Sequence, residues 1–227
     1  MRRVFIWTFV LGLLVFSQVA TSQPLVKCSH DAFVSYYDLD SRNPALVVWN
    51  LSLDDFKGNL KVKSRHFKAD SQLPPPRVKD GHYKGSGYVR GHLCPAGDRD
   101  TNKRLLKETY LTSNLTPMTM VCNSGPWKLV EDTCRVLARK HGRMISAAGT
   151  IFLDDSLGVY RFCNIKVPAA FFRIVRCTSH PNHEWIWLVQ NCAGVCRPVR
   201  ISNKALLDIL RTRESVTQLI RYHGLIE

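Results

Sequence analysis

Acid is scarce in this chain. Its 18 Asp and Glu stand against 32 Lys and Arg, for a formal charge of +14. Such a surplus disfavours a basic partner or cationic substrate and points to a polyanion. The positive residues recur along the chain (Lys61, Lys63, Arg65, Lys68, Arg77, Lys79, Lys84, Arg139, Lys140, Arg143), so they make a broad field rather than a basic tail. After residue 22 no stretch is apolar enough to span a bilayer, and no membrane association is expected of the remainder. Internal repeats and linkers of biased composition are also lacking, so residues 23–227 are expected to form one domain.

Residues 1–22 stand apart. Arg2 and Arg3 precede an almost wholly apolar run from Val4 to Phe16, and Ala20-Thr21-Ser22 offers small residues for cleavage. This pattern predicts a signal peptide removed after Ser22 and a secreted protein; an uncleaved anchor is the competing reading, but the run is short for one. All eight cysteines (28, 94, 122, 134, 163, 177, 192, 196) follow that cut. An even count behind a signal predicts a disulfide framework in an oxidising compartment, with about 105 connectivities open.

The chain predicts an α+β fold around a mainly antiparallel sheet with flanking helices. Strands are expected at 32–37 and 45–50 about a turn at Asp40–Pro44, then at 145–153, 158–165, 169–177 and 184–190, all rich in β-branched and aromatic residues. Residues 68–87, with Pro74-Pro75-Pro76, predict an exposed loop. Helices are expected at 203–213 and 214–222, and a further one from about Ser124 to Lys140 with Pro126 in its first turn. On that helix Asn123, Trp127, Glu131 and Arg135 step by four and share a face.

The chemistry is concentrated in Ser86-Gly87-Tyr88-Val89-Arg90-Gly91-His92-Leu93-Cys94-Pro95-Ala96-Gly97-Asp98-Arg99. If this segment is extended, Arg90 and His92 point to one side, and Gly91 leaves room for a polymer to approach both. Tyr110 to Met118 and Asn123 to Trp127 follow, leading to Glu131 and Arg135. A base, an oxygen ligand for a hard cation and guanidinium groups are what cleavage of a phosphodiester requires. Alone, Glu131 and Arg135 read as an ordinary surface ion pair; the Arg-x-His upstream makes the functional reading stronger.

Together these elements resemble the DNA/RNA non-specific endonucleases, the ββα-metal or His-Me finger group. Arg90 and His92 match that family's Asp-Arg-Gly-His core. Ser113-Asn114-Leu115-Thr116-Pro117 and Asn123-Ser124-Gly125-Pro126-Trp127 match its later elements, and the spacing to Glu131 and Arg135 agrees. The resemblance implies a ββα-metal site cleaving DNA and RNA through phosphate contacts, with 5′-phosphate and 3′-hydroxyl products. It implies His92 as general base, Asn123 as ligand of one Mg²⁺ (with Mn²⁺ as a substitute), and Glu131 holding water beside the ion. Arg90 and Arg135 would meet the phosphate, and Asn114 would orient the site. Arg65 is the candidate for a further phosphate-binding arginine, and a homodimer stays open.

Val89 departs from the pattern, standing where the family usually has an acid. This keeps alive a catalytically impaired nucleic-acid binder of the same fold, behind the nuclease; a small-nucleotide phosphodiesterase and a structural disulfide protein rank lower still. Asn114-Leu115-Thr116 is formally a glycosylation sequon but is expected to stay bare, with Asn50-Leu51-Ser52 the better acceptor. Trp127 is read as a packing anchor, Cys94 as bridged and inert. Cys177, His180 and His183 fit no usual zinc spacing.

Overall fold

A computed structural model describes residues 25–60, 67–152 and 161–226. The expected leader and Arg65 lie outside the described residues. The strands are β1 (Val26–Ser29), β2 (Val34–Asp38), β3 (Asn43–Leu51), β4 (Val89–His92), β5 (Leu115–Met118), β6 (Met144–Ile151), β7 (Arg161–Phe162), β8 (Ile165–Lys166), β9 (Ala170–Cys177), β10 (Glu184–Gln190) and β11 (Val199–Arg200). The helices are α1 (Leu53–Phe56), α2 (Lys103–Glu108), α3 (Met120–Ser124), α4 (Pro126–His141), α5 (Asn203–Ile209) and α6 (Glu214–Tyr222).

Alternation along the central strands builds three layers. In β9, Phe171, Val175 and Cys177 join one buried cluster, while Phe172 and Ile174 join another, as period two requires of a strand covered on both faces. The first cluster packs the sheet against Trp127, Val130, Cys134 and Ala138 of α4. The second packs it against Leu206 of α5, Leu210, and Val216 and Ile220 of α6. Among the described residues the main sheet runs β1-β2-β3-β6-β9-β10-β11, antiparallel at every pair. The fold is α+β with flanking helices. No described helix is long and apolar enough to cross a membrane.

Several expectations change. The helix foreseen from about Ser124 to Lys140 is α4, Pro126–His141, and a break at Gly125 (φ −107°, ψ −103°) separates it from the preceding α3. Pro126 lacks an N–H and drives the preceding residue out of helical geometry, and a Cβ on Gly125 would come within 2.8 Å of the Val121 carbonyl. Asn123 therefore sits on α3, off the helix that bears Glu131 and Arg135. In place of one strand at 158–165, a hairpin of β7 and β8 turns at Cys163 and Asn164, both at positive φ (47° and 60°). The helix expected to Arg213 stops at Ile209.

The disulfide framework is absent: Cys192 and Cys196 are bridged, and the other six cysteines are free. Cys94 in particular is unbridged. It is fully buried, and burial pushes its thiol up to about 12, so it is inert for a different reason from the one expected.

Apart from the main sheet, β4 pairs with β5, setting Arg90 opposite Pro117 and His92 opposite Leu115. Gly91 proves to face inward: a Cβ there would collide with Sδ, Cγ and Cε of Met118. Its missing side chain makes room for the core, not for a polymer. Gly91→Ala should therefore cost about 1–3 kcal/mol by overpacking. Urea denaturation of Gly91→Ala, Met118→Ala and the double variant should give a double-mutant loss smaller than the sum of the singles; strict additivity would contradict the contact.

Candidate active site

The strand β4 and helix α4 are tied directly. The Trp127 indole N–H donates to the His92 carbonyl at 3.0 Å, and the Trp127 ring is buried in the core 5.5 Å from Phe171. That leaves Trp127 no face for a nucleic-acid base. The half-buried His92 imidazole meets Tyr110 edge-on at 5.1 Å and lies 6.0 Å from Phe67.

Asn114 is wholly buried, and its whole amide is spent on backbone. Its Oδ1 accepts from Cys94 N at 2.8 Å, and its Nδ2 donates to the carbonyls of Cys94 and Thr109, each at 2.9 Å. It clamps the exit of β4 against the segment entering β5, and no glycan could be attached to it. Asn50 is exposed.

Neither arginine stands free. Arg90 Nε pairs with Asp80 at 2.5 Å, Nη2 donates to the Asp80 carbonyl at 2.9 Å, and the guanidinium lies 5.2 Å from the Phe67 ring and 5.4 Å from the Tyr83 ring. Val89 packs against the core, so the carboxylate beside Arg90 comes from ten residues upstream. Arg135 donates to Asp98 Oδ1 at 2.7 Å and to Asp132 Oδ1 at 2.6 Å.

Asp98 is the residue whose role the sequence did not reveal. It is completely buried, and its Oδ2 also accepts from Trp49 Nε1 at 3.1 Å and Arg173 Nη2 at 3.3 Å. Arg173, equally buried, stacks 4.2 Å from the Trp49 ring and donates to the Leu93 carbonyl at 3.3 Å. The available signal was an arginine inside the apolar strand Phe171-Phe172-Arg173-Ile174-Val175, which demands a buried anion.

Two oxygen-bearing side chains remain uncommitted. Among the described residues neither the half-buried Asn123 amide nor the Glu131 carboxyl makes a hydrogen bond or ion pair. Burial pushes Glu131 up to about 8, the Asp98 and Asp132 carboxylates add to the shift, and Arg173 and Arg135 oppose it. An amide oxygen and an acid awaiting positive charge suit a hard cation that keeps most of its waters. No described group of three or more His, Cys, Asp or Glu is placed to hold a metal ion; Cys177 Sγ instead contacts Ser179 Oγ at 3.3 Å and His180 Nδ1 at 3.9 Å.

This chain belongs to the DNA/RNA non-specific endonuclease family, which it matches over residues 17–226. It is 29% identical over 149 residues to human "Nuclease EXOG, mitochondrial", covering 61% of this chain and 40% of that protein. It is 32% identical over 158 residues to "Nuclease 1, mitochondrial" of Schizosaccharomyces pombe, covering 63% and 48%. With "Nuclease C1" of Cunninghamella echinulata the identity is 27% over 176 residues, covering 72% and 69%. The chain thus spans less than half the length of the first two. The fold is that of an EndoG solved in complex with EndoGI, with a TM-score of 0.71, 22% identity, and coverage of 82% of this chain and 84% of that one.

These relatives overturn the expectation of secretion, since the human and fission-yeast nucleases are named as mitochondrial. The six free cysteines also remove one of its two supports, the expected oxidised framework; the other, the pattern of residues 1–22, lies outside the described residues.

The Glu131 shift gives a signed prediction for metal-free protein. The folded state holds this proton up to about pH 8, while an unfolded glutamate releases it near 4.5. The folded form binds more protons between those values, so Glu131 lowers stability progressively as pH rises through the window. Glu131→Gln should therefore be more stable than wild type at pH 8.5 in EDTA, by about 1–4 kcal/mol. The advantage should shrink toward pH 4.5. Denaturation curves whose difference is independent of pH would refute it.

Proposed function

We propose that the chain is an endonuclease that hydrolyses phosphodiester bonds of DNA and RNA with little sequence preference, using a divalent cation and leaving 5′-phosphate and 3′-hydroxyl ends. Family membership supports the nuclease activity. The observation that carries the site is the pair of uncommitted oxygen donors, Asn123 and Glu131, on the segment that Trp127 fastens to the backbone of His92.

His92 is the general base, taking a proton from the attacking water on its imidazole. Asn123 would hold the cation through its amide oxygen, and Mg²⁺, or Mn²⁺ in its place, would supply charge neutralisation at the phosphate and the departing oxygen. Glu131, whose carboxyl burial pushes up to about 8, would hold water beside the cation. Arg90 and Arg135 each retain N–H donors beyond those spent on carboxylates, and these bind phosphate oxygens. Such contacts carry no sequence information, and the basic surplus of the chain favours long polymers. By analogy with the mitochondrial relatives alone, the first 22 residues are read as a targeting leader.

The test is incubation of the full chain and of His92→Ala with supercoiled plasmid and with RNA, in Mg²⁺ or in EDTA. Cleavage should require the cation and fall by about 10²–10⁴-fold in the variant. A well-folded wild type that cleaves neither polymer with any of several divalent cations would end the proposal.

A further inference from the structure

We infer that Asn191 is a positioning residue that fixes the place of Asn123, through a clamp between the end of the main sheet and the start of α3. This rests on the reading of Asn123 as the cation's amide ligand.

The helix α3 needs an external tie. It has five residues, too few to be stable alone, and Gly125 breaks it from α4. Cys122 is its one buried residue. Asn191 supplies the tie. Its Oδ1 accepts from Thr119 N at 2.8 Å, and its Nδ2 donates to the carbonyls of Pro117 at 3.1 Å and Pro168 at 2.9 Å. Its own N–H donates to the Ala169 carbonyl at 2.9 Å. One amide thus joins the end of β5, the cap of α3 and the segment entering β9, while following directly on β10, a strand inside the sheet.

The tie passes to Asn123 through Thr119. The Thr119 hydroxyl donates to the Cys192 carbonyl at 2.5 Å and accepts from Cys122 N at 3.0 Å. The Thr119 carbonyl accepts from Asn123 N at 3.0 Å. Asn191 and Cys192 therefore hold the backbone N–H and the hydroxyl of the residue that caps the helix, and the Cys192–Cys196 bridge closes the loop behind them. Backbone amides in ties of this kind exchange slowly only while the ties are intact.

The experiment uses the full chain as wild type, Asn191→Ala, Asn191→Asp and Thr119→Val, with Asn123→Ala as reference. Hydrogen exchange without metal is read at Cys122 and Asn123, and the Mg²⁺ concentration for half-maximal plasmid cleavage is read beside kcat and KM. For Asn191→Ala, exchange at those two amides should rise at least tenfold while the second half of α4 is unchanged. The half-saturating Mg²⁺ should rise about five- to tenfold, with KM for DNA within twofold at saturating metal. Asn191→Asp, which keeps the acceptor for Thr119 N, should fall between wild type and Asn191→Ala. Thr119→Val should reproduce both effects if Asn191→Ala fails to fold.

Unchanged exchange would overturn the clamp. Faster exchange with an unchanged Mg²⁺ requirement would leave a merely structural residue and overturn the positioning role. If instead wild type and Asn123→Ala share the same Mg²⁺ dependence, it is the assignment of Asn123 that fails, and the positioning role falls with it.

Discussion

A single buried carboxylate, Asp98, holds the site to the sheet. It meets Arg135 from α4, Arg173 from β9 and the Trp49 indole from β3, and Arg173 in turn holds the carbonyl of Leu93, one residue past His92. Burying an ion costs several kcal/mol, and only close, fully bonded partners offset it. The same four residues thus solve a problem of burial and fix where α4 lies relative to β4. His92 is at the end of one element and Glu131 within the other, so their relation is set from beneath by this cluster and from the side by the bond from Trp127 to the His92 carbonyl.

The cluster also shapes the electrostatics above it. Two guanidiniums and three carboxylates lie close together, yet the guanidiniums are already paired, with Asp98 and Asp132. Glu131 is left to feel burial and like charge together, and its proton is held well beyond the usual carboxylate range. A cation beside it relieves both. The raised acid and the unbonded Asn123 amide are the two features on which the proposed cation site rests. Arg90 follows a similar logic: with Val89 turned into the core, Asp80 supplies the balancing charge.

Much of the fold was legible because period two is a strong signal in strands as apolar as β3, β9 and β10. The motif residues were legible by their order and spacing. What stayed hidden depended on long-range partners. Nothing near Asp98 in the sequence announces Arg173, 75 residues on, and nothing near Asn114 says that its amide closes on Cys94 rather than facing a substrate. The break at Gly125 was readable in principle, since Gly-Pro is a strong helix breaker, but the four-residue stepping of Asn123 with Trp127 obscured it. Cysteine parity misled because parity says nothing of distance: Cys94, Cys122 and Cys134 are all core residues without a bridge.

The most direct test of this account is the unfolding free energy of Asp98→Asn, measured by chemical denaturation at neutral pH against wild type. The substitution keeps the shape and removes the charge, leaving Arg173 with no buried counterion. The account predicts a loss of about 3–5 kcal/mol. A loss below about 1 kcal/mol, within the range of an exposed ion pair, would mean that Asp98 is not what binds α4 and the β4 strand to the sheet.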